Sequence, residues 1–275
     1  MAQEPPVKLA VFGNPVTRSL SPRIHGLFAD QFGLQIDYRA IEATPDTFPG
    51  HVRRLAREGG RGCNVTMPLK HEAWKLAKRC SENARRARAA NTLVFEDERD
   101  WFADSTDGMG LVGDLGNLPG LRLEGARVCL LGAGGAAASV LASLLGAGPD
   151  LVYIANRTRD RARQLAESHA DLGTVDSGTP DDLDSLPPFD LFINATSLGH
   201  EGRAAGLSAS WLRASGFCYD MNYGEAARPL KAFCEQQHIP YSDGLGMLVG
   251  QAALSFKLWT GREPDTGAVL STLRG

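Results

Sequence analysis

At 275 residues, with 43% hydrophobic and 22% charged side chains, the chain has the composition of a globular protein with one large or two modest domains. Lys and Arg number 29 against 32 Asp and Glu, a formal charge of -3, which gives no reason to expect a nucleic-acid partner and leaves room only for a local phosphate-binding cluster. The five cysteines (Cys63, Cys80, Cys129, Cys218, Cys234) form no CxxC pair and the six histidines no HExxH spacing, so a disulfide framework and a zinc site are both disfavoured.

Met1-Ala2-Gln3-Glu4-Pro5-Pro6 lacks the basic region and apolar run of a signal peptide. No stretch approaches the ~20 apolar residues of a membrane span, so a cytoplasmic enzyme is expected. Val7 to Phe12 reads as a short buried strand ending at Gly13-Asn14-Pro15. Ser21-Pro22 then opens a helix, with Ser21 as the expected N-cap, and Ile24, Leu27, Phe28 and Phe32 give it one apolar face. A strand over 37–41, a helix over 45–57, a strand over 62–66 and a helix from Pro68 follow. Val94-Phe95 and Trp101-Phe102, on either side of the acidic run Glu96 to Asp100, read as a hairpin. A short helix follows Asp107-Gly108, and the glycine-rich 116–125 stretch reads as a boundary. Beyond it the strand–helix alternation restarts: strands over 126–131, 151–155, 189–193 and 217–219, with a long Ala/Leu helix reaching Leu145. Leu245 to Trp259 and a short segment from Pro264 are the closing helices.

Gly132-Ala133-Gly134-Gly135-Ala136-Ala137 joins the strongest strand to the long helix. Gly132 suits a tight turn, Gly134 a close approach of a pyrophosphate, and Ala137 stands where the third glycine of a dinucleotide fingerprint allows helix–strand packing. The next strand ends in Asn156-Arg157-Thr158-Arg159-Asp160-Arg161, where an NAD site has an acid. Two or three arginines beside Asn and Thr suit a 2′-phosphate instead, so NADP is expected.

Four polar clusters remain: Ser19-Leu20-Ser21, Asn64-Val65-Thr66-Met67-Pro68-Leu69-Lys70, Ala90-Asn91-Thr92 and Ser105-Thr106-Asp107-Gly108. Asn64 and Thr66 share a side if both lie in the strand. Lys70 falls in a first helical turn, where a cation is unfavourable without a compensating acid, and Asp107 is such an acid. His25 reads as structural, Trp74 and Trp259 as packing anchors, and Glu82 as a surface acid. Gln251, an amide on an apolar helix, needs a partner.

In order and spacing, these segments resemble the shikimate dehydrogenase family. The resemblance runs from Gly13-Asn14-Pro15 and Ser19-Leu20-Ser21-Pro22 with His25, through Thr106-Asp107-Gly108, Asn156-Arg157-Thr158 and Asn194-Ala195-Thr196, to Asp220 with Tyr223, Asp243-Gly244 and Gly246 to Ala253. It implies an α/β fold of two domains separated by a cleft. One is a mixed-sheet shikimate-binding domain of residues 1–104 plus 245–275, and the other a Rossmann-like NADP-binding domain of residues 105–244. It implies NADPH-dependent reduction of 3-dehydroshikimate to shikimate, by a monomer or homodimer.

By the same resemblance Ser19 and Ser21, assisted by Tyr223, would hold the substrate carboxylate, and Asn64, Thr66, Asn91 and Gln251 its ring hydroxyls. Lys70 and Asp107 would flank the reacting oxygen. The pyrophosphate would lie on Gly132, Ala133, Gly134, Gly135 and Ala136, and the ribose phosphate on Asn156, Arg157, Thr158 and Arg161. Thr196, Met221, Gly244 and Met247 would line the remaining cofactor path. The chain departs from the family's habit at His25-Gly26, where Asn commonly follows the histidine, and at Ser105, commonly Asn. An NAD-using quinate/shikimate dehydrogenase is the nearest rival, disfavoured by Asn156-Arg157. A methylene-tetrahydrofolate dehydrogenase-like enzyme and a non-catalytic dinucleotide- or shikimate-sensing module are more distant ones, the latter disfavoured by the presence of Lys70 and Asp107.

Overall fold

Apolar runs bounded by Gly and Pro become strands, and the segments between them cover the sheet faces with helices. The computed structural model describes residues 5–97 and 100–275. Met1 to Glu4 of the leader reading, and Glu98 and Arg99 of the expected hairpin turn, lie outside the described residues. In chain order the first half contains β1 (Val7–Gly13), α1 (Ser21–Asp30), β2 (Ile36–Glu42), α2 (Phe48–Arg57), β3 (Gly62–Val65), α3 (Lys70–Leu76), β4 (Arg79–Cys80), α4 (Glu82–Ala87), β5 (Thr92–Phe95), β6 (Trp101–Asp104) and α5 (Asp107–Gly116). The second half contains β7 (Arg127–Leu131), α6 (Gly135–Gly146), β8 (Leu151–Ala155), α7 (Arg159–Glu167), β9 (Val175–Gly178), β10 (Phe189–Asn194), β11 (Leu212–Asp220), α8 (Arg228–Gln236), β12 (Tyr241–Asp243), α9 (Leu245–Thr260) and α10 (Thr266–Arg274).

The chain divides into two compact units, residues 1–110 with 249–275 and residues 111–248. Both changes of unit fall inside continuous helices, α5 and α9, rather than in a loop. The glycine-rich 116–125 stretch therefore lies within the second unit and marks no boundary.

The first unit holds a mixed sheet of order β2-β1-β3-β5-β6-β4. β1 pairs in parallel with β2 and β3, whereas β5 is antiparallel to β3 and β6. Phe12, Phe48, Val52, Leu69 and Leu93 are fully buried in one core of this unit. Trp259 of α9 is seated where β3 has no side chain: a Cβ on Gly62 would lie 2.2 Å from the Trp259 indole nitrogen. That nitrogen donates to the Leu93 carbonyl at 2.9 Å.

The second unit holds an all-parallel sheet of order β12-β11-β10-β7-β8-β9. Its strands are covered on both faces, which accounts for their nearly continuous apolar sequences. Leu130, Val140, Leu144, Ile154 and Ile193 form one face of the core.

Several local expectations are corrected. Ser21 is the first residue of α1 and not its cap, and its backbone N–H instead donates to Ser19 Oγ at 3.2 Å. β3 stops at Val65, so Thr66 lies past the strand end and does not share its alternation with Asn64. The helix expected from Pro68 begins at Lys70, because Leu69 first closes a turn on the Thr66 carbonyl. The β2, α2 and β11 bounds also move, and β4, β9 and β12 are short strands without a strong apolar run. Among the described residues, no helix is long and apolar enough to cross a membrane.

Candidate active site

The polar clusters of the first unit converge at the ends of β3, β5 and β6. Lys70 begins α3 and Asp107 begins α5, and Lys70 Nζ lies 2.6 Å from Asp107 Oδ2. Each supplies what the other needs. The helix terminus that favours Asp107 disfavours Lys70, and the ion pair offsets the latter. The Lys70 side chain is 22% exposed and that of Asp107 9%, so the lysine end of the pair retains access to a ligand.

Asn91 orients this pair. Its Nδ2 donates to Asp107 Oδ1 at 2.9 Å and to Gln251 Oε1 at 2.9 Å, while its Oδ1 accepts the Thr106 N–H at 2.9 Å. Thr106 Oγ1 donates to the Gln251 backbone carbonyl at 3.0 Å, which ties α9 to the start of α5. Asn64 is equally constrained. Its Oδ1 accepts from Tyr38 at 2.7 Å and faces His25 Nε2 at 3.1 Å, and its Nδ2 reaches the Asn91 carbonyl, Thr92 Oγ1 and Ser255 Oγ.

His25 is fully buried and stacked on Tyr38 with 4.5 Å between ring centroids. Burial lowers its pKa to about 3 despite the Asn64 bond, so the ring is neutral at physiological pH. Its Nε2 then carries the proton that faces Asn64 Oδ1, and Nδ1 has no partner among the described residues. Ser19 donates to Ser21 Oγ at 3.1 Å, and burial pushes the pKa of the Tyr38 phenol well up. Thr66 is half-buried and makes no side-chain hydrogen bond among the described residues.

Sequence reasoning missed the supporting roles of Tyr38, Thr92, Thr106 and Ser255. A signal for Ser255 existed: it stands four residues after Gln251 on the same apolar helix. Glu82 is exposed and paired with Arg85 and Arg86, away from this network.

The second unit carries the glycine-rich turn. Gly132 has φ +113°, and a Cβ there would meet the Ala195 carbonyl oxygen at 3.1 Å, so glycine is required on two counts. Gly134, Gly135 and Ala136 are exposed, Ala133 is half-buried, and Gly134 offers no side-chain cap to the twelve-residue α6. The first N–H groups of α6 are therefore open to an anion, which fits a dinucleotide pyrophosphate. At the end of β8, Asn156 Nδ2 donates to the Thr158 carbonyl at 2.9 Å. Arg157, Thr158 and Arg161 are exposed, and among the described residues neither arginine is paired with an acid. Arg159 is paired, with Asp182.

Thr196 donates its N–H and hydroxyl to Asn194 Oδ1 at 3.0 and 2.7 Å, and the Met221 N–H donates to the Asn194 carbonyl. Gly244 packs so closely on Met221 that a Cβ would lie 2.4 Å from its carbonyl oxygen. Met247 is 8% exposed, within the core cluster. Tyr223 is half-buried at the head of a short 3-10 turn, its phenol pushed upward by burial.

A buried carboxylate that sequence reasoning left without a role ties these pieces together. Asp220 is fully buried, and its Oδ1 accepts from Asn194 Nδ2, Asn222 N and Asn222 Nδ2 at 2.8–3.0 Å. Its Oδ2 has no partner among the described residues. Desolvation raises its pKa to about 6 against the pull of these bonds. Among the described residues no group of three or more His, Cys, Asp or Glu is placed to hold a metal ion.

Comparison with known proteins gives three family matches along the chain. Residues 11–93 match the shikimate dehydrogenase substrate binding domain, residues 117–201 the shikimate/quinate 5-dehydrogenase model and residues 244–274 the shikimate 5'-dehydrogenase C-terminal domain. The shikimate dehydrogenase (NADP(+)) of Thioalkalivibrio sulfidiphilus is 47% identical over 97% of this chain and 98% of its own. Among solved structures, an Ael1 enzyme from Pseudomonas putida aligns with a TM-score of 0.89 and 40% identity, over 97% of this chain and 98% of that one. Shikimate 5-dehydrogenase from Thermus thermophilus, in complex with NADP(H) and shikimate, aligns with a TM-score of 0.83 and 31% identity over 98% of both chains. With a relative this similar over nearly its whole length, and with its Lys70–Asp107 pair and glycine-rich turn on an α/β frame, the chain belongs to the shikimate dehydrogenase family.

Proposed function

We propose that this protein catalyses the reversible NADPH-dependent reduction of 3-dehydroshikimate to shikimate. The observation that carries the reading is the Lys70–Asp107 pair at 2.6 Å, held on its second oxygen by Asn91. When bound, the reduced nicotinamide supplies the hydride. Negative charge then grows on the carbonyl oxygen, and the Lys70 ammonium is the group assigned to meet it and deliver the proton. Asp107 holds the lysine in position and keeps its charge compensated through the step. In the oxidative direction the amine accepts the hydroxyl proton, and the same carboxylate stabilises the ammonium so formed.

Substrate recognition is assigned to the first unit. Ser19 and Ser21 hold the carboxylate, and Tyr223 is assigned to assist them. Asn64, Thr66, Asn91 and Gln251 hold ring hydroxyls, and the free hydroxyl of Thr66 and the inward amide of Gln251 support this. The second unit is assigned to NADP, with Gly132 to Ala136 at the pyrophosphate and Asn156, Arg157, Thr158 and Arg161 at the 2′-phosphate. Thr196, Met221 and Gly244 line the rest of that path. The buried position of Met247 suits a backing wall for it more than a wide contact. The cytoplasm is the compartment assigned, and the protein acts there as a monomer or homodimer.

The test is direct: purified protein mixed with 3-dehydroshikimate and NADPH should form shikimate and NADP⁺ in equal amounts. Absence of turnover with NADPH, or equal efficiency with NADH, would overturn the assignment.

A further inference from the structure

Five strands of the second unit end in one row. Across the sheet, Ala155 of β8 pairs with Leu131 of β7, Leu131 with Asn194 of β10, Asn194 with Asp220 of β11, and Asp220 with Asp243 of β12. All these strands are parallel, so the loops that follow them open on the same edge, where α/β sheets take their ligands. The glycine-rich turn after β7 stands in the middle of that edge. The arginines assigned to the 2′-phosphate follow β8 on one side of it, and β10, β11 and β12 lie on the other. A dinucleotide with its pyrophosphate on the turn and its adenosine half beside Arg157 lays its nicotinamide half over the β10 to β12 loops.

Those three loops are tied together through one oxygen atom. The Thr196 N–H must donate, so the Asn194 side-chain atom 3.0 Å from it is the oxygen, and Asn194 Nδ2 faces Asp220. The Thr196 carbonyl can only accept, so the Asn222 side-chain atom 3.0 Å from it is Nδ2. Asp220 Oδ1 accepts from Asn194 Nδ2 at 2.9 Å, from Asn222 Nδ2 at 2.8 Å and from the Asn222 N–H at 3.0 Å. Thr196 is thereby held at both ends: its N–H and hydroxyl donate to Asn194 Oδ1, and its carbonyl accepts from Asn222 Nδ2. The Asn222 carbonyl accepts the Gly244 N–H at 2.9 Å, which brings in the loop after β12. The same loop abuts the glycine-rich turn, since a Cβ on Gly132 would lie 3.1 Å from the Ala195 carbonyl oxygen and 3.4 Å from Thr196 Cγ2.

We propose that Asp220 is a positioning residue for the cofactor: it presets the loops that receive the nicotinamide half and takes no part in holding the adenosine half. This rests on the assignment of the second unit to NADP. Asp220 is fully buried, so it acts through Asn194 and Asn222 and not by touching the ligand. Without it, two side-chain amides and a backbone N–H lose their common acceptor, and the loops must be ordered when the cofactor binds, at a cost in affinity. The loop after β8 is built separately, with the Asn156 N–H on the Gly178 carbonyl and Asn156 Nδ2 on the Thr158 carbonyl. Asp220 Oδ2 has no partner among the described residues, so a side chain that keeps only the Oδ1 acceptor keeps the network.

Isothermal titration calorimetry with NADP⁺ and with adenosine 2′,5′-bisphosphate, which carries the phosphorylated adenosine but no nicotinamide, separates the two halves. Asp220→Ala should weaken NADP⁺ binding about tenfold and leave adenosine 2′,5′-bisphosphate within about twofold of wild type. Asp220→Asn retains the accepting oxygen and should bind NADP⁺ within about threefold of wild type. Should Asp220→Ala fail to fold, Asn222→Ala takes its place with the same two expected results, because Asn222 is only half-buried. Equal loss of both ligands in the folded variant, or no loss of NADP⁺, overturns the inference, and so does an Asp220→Asn that loses NADP⁺ about tenfold. Those outcomes leave the cofactor assignment standing. A wild-type protein that binds neither ligand would remove that assignment, and the role of Asp220 with it.

Discussion

Arg159 places one guanidinium nitrogen 3.0 and 2.9 Å from the two carboxylate oxygens of Asp182. Asp182 also accepts the Thr179 N–H at 2.7 Å, and that backbone bond, more than the arginine, holds its carboxyl below the usual carboxylate range. Of the three arginines clustered after β8, one is thus engaged within the protein, and Arg157 and Arg161 remain for a phosphate.

Replacing Arg157 with Ala should raise the KM for NADPH far more than that for NADH. Each charge-assisted phosphate bond lost costs about 1.5–3 kcal/mol, roughly 10- to 100-fold in affinity. Arg159→Ala should leave the NADPH/NADH preference nearly unchanged. Steady-state kinetics with both cofactors checks the pair, and equal damage to both in Arg157→Ala would remove the 2′-phosphate assignment.

Lys70→Met keeps the stem and loses the proton. Turnover should fall by at least ~100-fold with a smaller change in shikimate binding, as for a group used mainly in the transition state. Asp107→Asn should also lose turnover, because an amide beside the ammonium cannot compensate its charge. A rise in KM alone, with kcat near wild type, would make Lys70 a binding residue.

Stability should fall on mild acidification because of His25. The unfolded ring takes up a proton near its ordinary value of 6.5, whereas the folded ring resists until about 3. The unfolded state therefore binds more protons between those values, and stability drops as pH falls through that window. Urea midpoints measured between pH 7 and pH 5 should show this loss, and His25→Asn should flatten it.

Asp220 should act with the opposite sign. Its folded value of about 6 exceeds the ordinary 3.8, so the folded state holds the extra proton and stability is lost as pH rises from 3.8 through 6. Desolvation is the main cause, and the charge of Asp243 adds to it. The difference in stability between wild type and Asp220→Asn should therefore change with pH over that range and level off above it. A difference independent of pH would show that Asp220 does not titrate there.

The parallel strands of the second unit were legible because burial on both faces leaves a continuous apolar run, and β8 lies at the expected residues 151–155. The edges were not. β9 reads Val-Asp-Ser-Gly and β4 is only two residues long, so neither carries a pattern that periodicity can detect. Residue types at the candidate site were legible in their clusters, but their partners were not. Asn91 meets Gln251 across 160 positions and Asn64 meets Ser255 across 191, distances over which local spacing says nothing. Arg159 could not be told from Arg157 and Arg161 because what separates them is Asp182, more than twenty positions away.

The Trp259 indole filling the gap above Gly62 has a consequence for synthesis. The first unit's sheet is translated early, yet α9, which supplies Trp259, Gln251 and Ser255, emerges only after the whole of residues 111–248. The contiguous second unit can fold on the ribosome as it appears. The first must wait with its Gly62 side of the sheet uncovered, and it closes last, when the late-made helix docks against strands made long before.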